Sequence, residues 1–217
     1  MTEKVADLLG SRATRWRERV VERSMGDAIR EAIERAGALI SATRELMEES
    51  TEGVTVQEIA DRAGMSLRLL YRYFESKDEL IAATLEQYEY EIAEALDATV
   101  VAHKGPEGRA RAMLLSLCDV SQTSEATRLA VHEARLMQTN SADVARYHAP
   151  VADVVHRVLD DAGADEGSAY LVMAARRAYS WSTLFESNFG LATPSQTRFV
   201  ELLMQGLALG DGDREGE

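Results

Sequence analysis

Arg68, Leu69, Arg72 and Tyr73 fall on one side of a helical pattern that runs from Leu67 to Phe74, and Lys77 follows three residues later. An arginine presented in this way can donate two parallel hydrogen bonds to a guanine edge, and a lysine can hold a phosphate as a point charge. The chemistry on offer is recognition of a polyanion whose base edges carry acceptors. A plainer alternative is a solvated helix face, because Arg68 and Arg72 are spaced i to i+4 and helical hairpins occur in many all-helical proteins.

The elements that must position these side chains can be read from residues 53–80, GVTVQEIADRAGMSLRLLYRYFESKDEL. Thr55 followed by Glu58 forms a capping box, so a helix starts there. Val56, Ile59, Ala60 and Ala63 share one face of it, and Gly64 supplies the positive φ that ends it. Ser66 is a natural cap for a second helix. At 100° per residue Leu67, Leu70 and Phe74 pack, with Tyr71 at their edge, while Arg68, Leu69, Arg72 and Tyr73 face outward. Ser76 and Glu79 form a second capping box, which starts a third helix and leaves Lys77 beside its N-terminus. Two short helices with a Gly turn and an outward cationic face constitute a helix-turn-helix, whose second helix enters the major groove.

The segment closely resembles the tetracycline-repressor-like (TetR) family: Gly64, Ser66, Leu70, Tyr71, Phe74 and Lys77 fit its pattern of a Gly turn, a hydroxyl cap, Leu-Tyr-x-x-Phe and a lysine after a two-residue spacer. The resemblance implies that Tyr71 and Lys77 hold phosphates, that Thr55 and Ser66 act at the helix starts, and that Gln57 lies near the groove. It also implies that Leu67, Arg68, Leu69, Arg72 and Tyr73 face bases. Leu69 stands where many members carry a small hydroxyl residue, so apolar contact with a thymine methyl is expected there instead. The implied fold class is all-α: an N-terminal three-helix helix-turn-helix DNA-binding domain followed by a C-terminal helical ligand-binding and dimerisation domain. The implied activity is that of a ligand-responsive transcriptional regulator, a repressor that binds a pseudo-palindromic operator as a homodimer.

Composition bounds the alternatives. The 217 residues are 46% hydrophobic, with three Pro and one Cys, enough for a real core and without strand-like alternation. The formal net charge of −13 opposes DNA binding at first sight. Between Gly64 and Lys77, however, Arg68, Arg72 and Lys77 face only Glu75, so the local balance is cationic. The acidic remainder would discourage nonspecific coating of DNA. Cys118 sits in an apolar pattern and reads as packing; His103, His132, His148 and His156 fall at no metal-ligand spacing, and no phosphate loop or nucleophile elbow occurs. An enzyme is therefore disfavoured, no cofactor is expected, and a helical adaptor that binds protein through residues 64–77 is the remaining competitor. With neither a membrane-length apolar run nor a secretory signal, a cytoplasmic protein is expected.

Along the chain, residues 1–26 read as an N-terminal extension, 27–75 as the DNA-binding domain, 76–210 as the effector and dimerisation domain, and 211–217 as an acidic tail. Arg12, Arg15, Arg17, Arg19 and Arg23 suit either a minor-groove arm or a partly helical solvated segment paired by Glu18 and Glu22. Ser24 and Asp27 look like the start of helix one, with Ile29, Ile33, Ala36, Ile40 and Met47 bracing the reading head. Further helices are expected at about 109–120, 125–138, 142–161 with a bend at Pro150, 167–188, and from Thr193 and Pro194 to about 210. Helices 150–161 and 167–188, the latter with small residues Ala174, Ala178 and Ser182, suit either an intersubunit bundle or burial within one subunit. Candidate pocket residues are the polar and aromatic side chains that interrupt apolar helices: Tyr88, His132, Arg135, Tyr147, His148, Tyr179, Trp181 and Phe185. Each could equally be a packing residue. Eight Met and many Ala and Leu favour a mainly apolar small-molecule effector.

Overall fold

The computed structural model describes residues 15–139, 147–165, 167–182, 186, 190 and 192–207, with side chains from residue 25 onward. Its elements are α1 (Arg15–Glu49), α2 (Val56–Arg62), α3 (Leu67–Tyr73), α4 (Lys77–Val101), α5 (Pro106–Ser121), α6 (Ser124–Thr139), α7 (Ala149–Asp161), α8 (Ser168–Ser180) and α9 (Gln196–Gly206). Every regular element among the described residues is a helix, as the absence of period-2 patterning requires.

Among the side chains described on α1, those that are buried lie in its second half. Leu39, Ala42, Thr43 and Met47 are buried beneath α2, α3 and α4, while Ile29 and Ile33 stand 52% and 67% exposed. The expected start at Ser24 to Asp27 is instead mid-helix, because α1 is continuous from Arg15. Local ion pairs on this stretch, Asp27 with Arg30 and Glu31 with Arg35, support the helix where a cap is not used.

α4 joins the two halves of the molecule. It starts under the Ser76 cap, packs on α1, and continues into the C-terminal body against α5, α6 and α7. Leu80, Ile81, Leu85, Ile92, Leu96 and Val100 form its buried stripe. α7 is buried along one side: Val151, Val154, Val155, Val158 and Leu159 are all buried against neighbours in the same chain. Pro150 does not bend it, because it occupies the first turn, where a missing N–H costs nothing. α9 begins two residues later than expected; Ser195, not Thr193, is the cap and accepts from the Arg198 N–H.

Candidate functional site

The reading head is fixed by caps. Thr55 Oγ1 accepts from the Glu58 N–H at 3.2 Å and the Glu58 carboxylate takes the Thr55 N–H at 2.8 Å, completing the box at the start of α2. Hydrogen bonds to the Glu58 carboxylate from the Thr55 hydroxyl, at 2.6 Å, and from the Thr55 N–H hold it below its usual range. At the other end Gly64, at φ 65°, donates to Asp61 O, and Met65 donates to Ala60 O, the paired bonds of a Schellman turn. Gly64 is required here because a side chain at that φ is strained. Arg62 grips Glu49 and Glu45 of α1, so the turn is pinned to the domain core.

Ser66 then caps α3 by accepting from Leu69 N–H. Leu70 and Phe74 are buried, while Arg68, Tyr71, Arg72 and Lys77 are exposed, as are Thr55, Gln57 and Ser66. Gln57 is occupied by Asp61 at 2.8 Å. Leu67 packs as its helical phase predicts and not outward as the resemblance implies, and Tyr73 differs from its expected outward placement: both are half-buried and pack on the core, so only their rims reach solvent. Helix α3 is only seven residues long, and Tyr73 at its end leans back toward the body of the domain. The Glu79 carboxylate reaches Glu75 N–H and not Ser76 N–H, a shifted version of the expected box. Within residues 39–84 the cations divide cleanly. Arg44 and Arg62 are held by acids, whereas Arg68, Arg72 and Lys77 make no ion pair among the described residues.

A cavity of about 140 Å³ lies between α4, α5, α6, α7 and α8. Leu85, Val120, Leu129, Ala130 and Met173 form its apolar floor. Its other end is ionic. Arg176 donates to both oxygens of Glu89 at 2.8 and 2.9 Å, and Arg177 pairs with Glu133. Glu133 also accepts from Tyr147 Oη and lies 2.8 Å from His148 Nε2. Burial alone would raise the Glu89 pKa, but the Arg176 charge and hydrogen bonds, with the His148 imidazole 3.5 Å away, outweigh it and hold the carboxyl at about 2. Burial lowers the Arg177 pKa, against the opposing charge of Glu89.

Of the residues expected at a pocket, Tyr88, Tyr147 and His148 line this cavity. His132 and Arg135 do not: they lie on the opposite face of α6, where His132 Nε2 sits 2.8 Å from Ser50 O and Arg135 borders a smaller space with Gly53, Val54 and Lys77. A single residue step, about 100° around α6, separates His132 from Glu133 and so the two environments. Tyr179 stacks on Phe199 at 4.4 Å beside a different cavity, and Trp181 closes the end of α8 away from this one. Phe185 lies outside the described residues, as do residues 1–14 and the tail 211–217. Glu89, Glu133, Arg176 and Arg177 were missed because charged residues in amphipathic helices read as a solvated face. The available signal was Glu89, flanked at helical spacing by the apolar Leu85 and Ile92.

The two sites are physically linked. Arg44 of α1 binds Glu91 of α4 at 2.6 Å and Glu125 of α6 at 2.7 Å, and its guanidinium lies 5.3 Å from the centre of the Tyr88 ring. Arg128 of α6 donates to Glu48 O. Burial pushes the Cys118 thiol up to about 12, so it is an inert packing group. No described helix is long and apolar enough to cross a membrane.

Residues 39–84 match the family described as bacterial regulatory proteins, tetR family. The HTH-type transcriptional regulator BetI of Brucella anthropi is 31% identical over 97 residues, which span 45% of this chain and 50% of that protein. BetI of Burkholderia ambifaria is 29% identical over 147 residues, 63% of this chain and 76% of that protein. The chain thus spans about half the length of the Brucella relative. Among solved structures, the transcriptional regulator FadR of Bacillus subtilis, in complex with stearoyl-CoA, superposes with a TM-score of 0.61 at 14% identity, covering 78% of this chain and 97% of FadR. The same all-helical fold recurs in a TetR-family protein of Vibrio parahaemolyticus, with a TM-score of 0.54 over 80% of this chain and 98% of that one at 16% identity. Residues 39–84 are therefore similar to the tetR family of bacterial regulatory proteins, and the described chain shares the all-helical fold of the two solved structures.

Proposed function

We propose that the chain is a ligand-responsive transcriptional repressor that binds a pseudo-palindromic operator as a homodimer and releases it when a small molecule fills the 140 Å³ cavity. The observation that carries the DNA reading is the cationic face of the reading head: Arg68, Arg72 and Lys77 are exposed and unpaired among the described residues while Arg44 and Arg62 beside them are neutralised. Arg68 and Arg72, with Leu69 between them, read bases. Tyr71 and Lys77 hold phosphates, with Thr55, Gln57 and Ser66 at the helix starts and the rims of Leu67 and Tyr73 beside them. Functionally the chain divides at Ser76, with 27–75 reading DNA and 76–210 sensing the effector.

Dimerisation falls to α8 and α9. The face of α8 with Tyr170 (80% exposed), Leu171, Ala174 and Ala178 is open, as is Leu202 of α9. α7 suits the role less, since its apolar side is spent inside the subunit. Ser182 is buried and accepts from Gln122, so it belongs to the interior and not to this face. A two-fold dimer doubles the few base pairs that one short helix can read.

The switch runs through α4 and α6. Tyr88 and Glu89 line the cavity 11 and 12 residues beyond Lys77, so Glu89 lies about 18 Å along α4 at 1.5 Å per residue. α6 presents Leu129, Ala130 and Glu133 to the cavity and Glu125, Arg128 and His132 to α1 and its following loop. Selection of bound fragments from random DNA tests the proposal: a two-fold symmetric sequence should be enriched, and recovery of fragments with no shared sequence would defeat it.

A further inference from the structure

The ionic end of the cavity has donors to spare and its carboxylates are already filled. Glu133 takes Tyr147 Oη and two N–H groups of Arg177, with His148 Nε2 2.8 Å away, and Glu89 is held by both terminal nitrogens of Arg176. Both Glu side chains are 6% exposed and turned onto these partners. A guanidinium carries five N–H donors, so each arginine keeps N–H groups that these bonds do not use. His148 adds another. Its Nε2 lies 2.7 Å from Arg177 Nη2 as well as 2.8 Å from Glu133, and its Nδ1 is buried with no hydrogen-bond partner, 3.5 Å from Glu89. When Nε2 accepts from Arg177, or when the ring is protonated, Nδ1 is an N–H donor without an acceptor.

Other polar groups on the wall are committed. Ser121 Oγ donates to Leu117 O and Ser180 Oγ to Arg176 O. An incoming cation would have to strip a guanidinium from a buried carboxylate, which leaves a desolvated arginine behind. An incoming acceptor finds N–H groups and displaces nothing. Size adds a second limit, since 140 Å³ is close to the cavity of about 150 Å³ that accepts benzene.

We infer that the effector is a small organic acid, with an apolar body of about benzene size on the Leu85, Leu129 and Met173 floor and its acid group at Arg176, Arg177 and His148. This deepens the reading of the cavity as an effector site and rests on it. A long acyl chain does not fit the cavity in this conformation.

The test uses the full chain and matched probes of one size: benzoate, benzyl alcohol and benzylamine, with hexanoate, hexanol and hexylamine as the aliphatic set. Calorimetric titration reads binding, and anisotropy of a labelled fragment recovered by random-DNA selection reads release. The acids should bind at least about tenfold more tightly than the alcohols, the worth of one charge-assisted hydrogen bond, and the amines should bind most weakly. The paired variant Arg177→Gln with Glu133→Gln, which removes both charges together, should erase the preference for acids while the alcohols keep their affinity. Preference for the amines or alcohols, or no binding by either acid, overturns the inference. DNA release separates the two claims: release by a bound amine preserves the regulator reading and defeats the acid, whereas acids that bind without altering DNA affinity support the acid and defeat the effector role.

Discussion

The helix-turn-helix and the cavity lined by α4, α5, α6 and α8 handle charge in opposite ways. On α3 and at the start of α4, Arg68, Arg72 and Lys77 project into solvent and make no ion pair among the described residues. In the cavity, Arg176 and Arg177 are each matched by a carboxylate that is 6% exposed. A solvated cation costs the fold nothing and stays available to a phosphate or a base. A buried one must be paired to be tolerated, and the pair then defines the shape and polarity of the space beside it. The same residue type is thus a partner's handle in one region and a structural wall in the other.

That contrast breaks most visibly in stability. Arg176→Ala leaves Glu89 as a buried unpaired carboxylate and should cost about 3 to 5 kcal/mol in urea unfolding. Arg68→Ala should change the same curve by no more than about 0.5 kcal/mol. Equal effects for the two arginines would remove the distinction.

Acid sharpens the comparison. The folded Glu89 carboxyl sits at about 2, below its unfolded value, so its contribution is complete above about pH 4.5 and is lost as the pH falls toward 2. In the single-site limit that is about 3 kcal/mol, and Arg176→Ala should flatten this part of the stability profile. Stability that rises on acidification through this window would contradict the pairing.

Smaller effects are expected on the exposed side. Arg72→Ala should weaken binding to a selected operator by about 1 to 3 kcal/mol and relax preference at one base pair per half-site. Lys77→Ala should weaken all sequences alike and reduce the salt slope by about 0.9. A changed base preference for Lys77→Ala would show that it reads and does not merely position. Thr55→Ala, which removes the cap of α2, should cost about 1 kcal/mol of stability measured by thermal unfolding.

The same division governs what the sequence could tell. Caps at Thr55, Ser66 and Ser76, the turn at Gly64 and the alternation of Leu70 and Phe74 with Arg68 and Arg72 are local patterns, and the structure places the caps and buried residues accordingly. Tyr73 departs because packing on the domain core is a tertiary matter that helical phase does not report. The start of α1 was misplaced for the converse reason: Ser24 and Asp27 look like a cap, yet continuous helix is available when local ion pairs support it. The cavity was barely legible. Glu89, Glu133 and Arg176 come from three helices and His148 from the residue before α7, and the Glu89–Arg176 pair joins residues 87 apart in the chain. Tyr88, Tyr147 and His148 were found as interruptions of apolar helices, but the same criterion also chose His132 and Arg135, on the face of α6 turned toward the reading head.

The central claim is that the unpaired cations of α3 read DNA, and the double variant Arg68→Ala with Arg72→Ala tests it most directly. Its unfolding curve and the wild-type curve should coincide, since neither side chain supports the fold. Its affinity for the operator selected by the wild-type chain should fall to the level measured on unrelated DNA of the same length and salt. Retention of the wild-type affinity and base preference by a stably folded double variant would contradict the account.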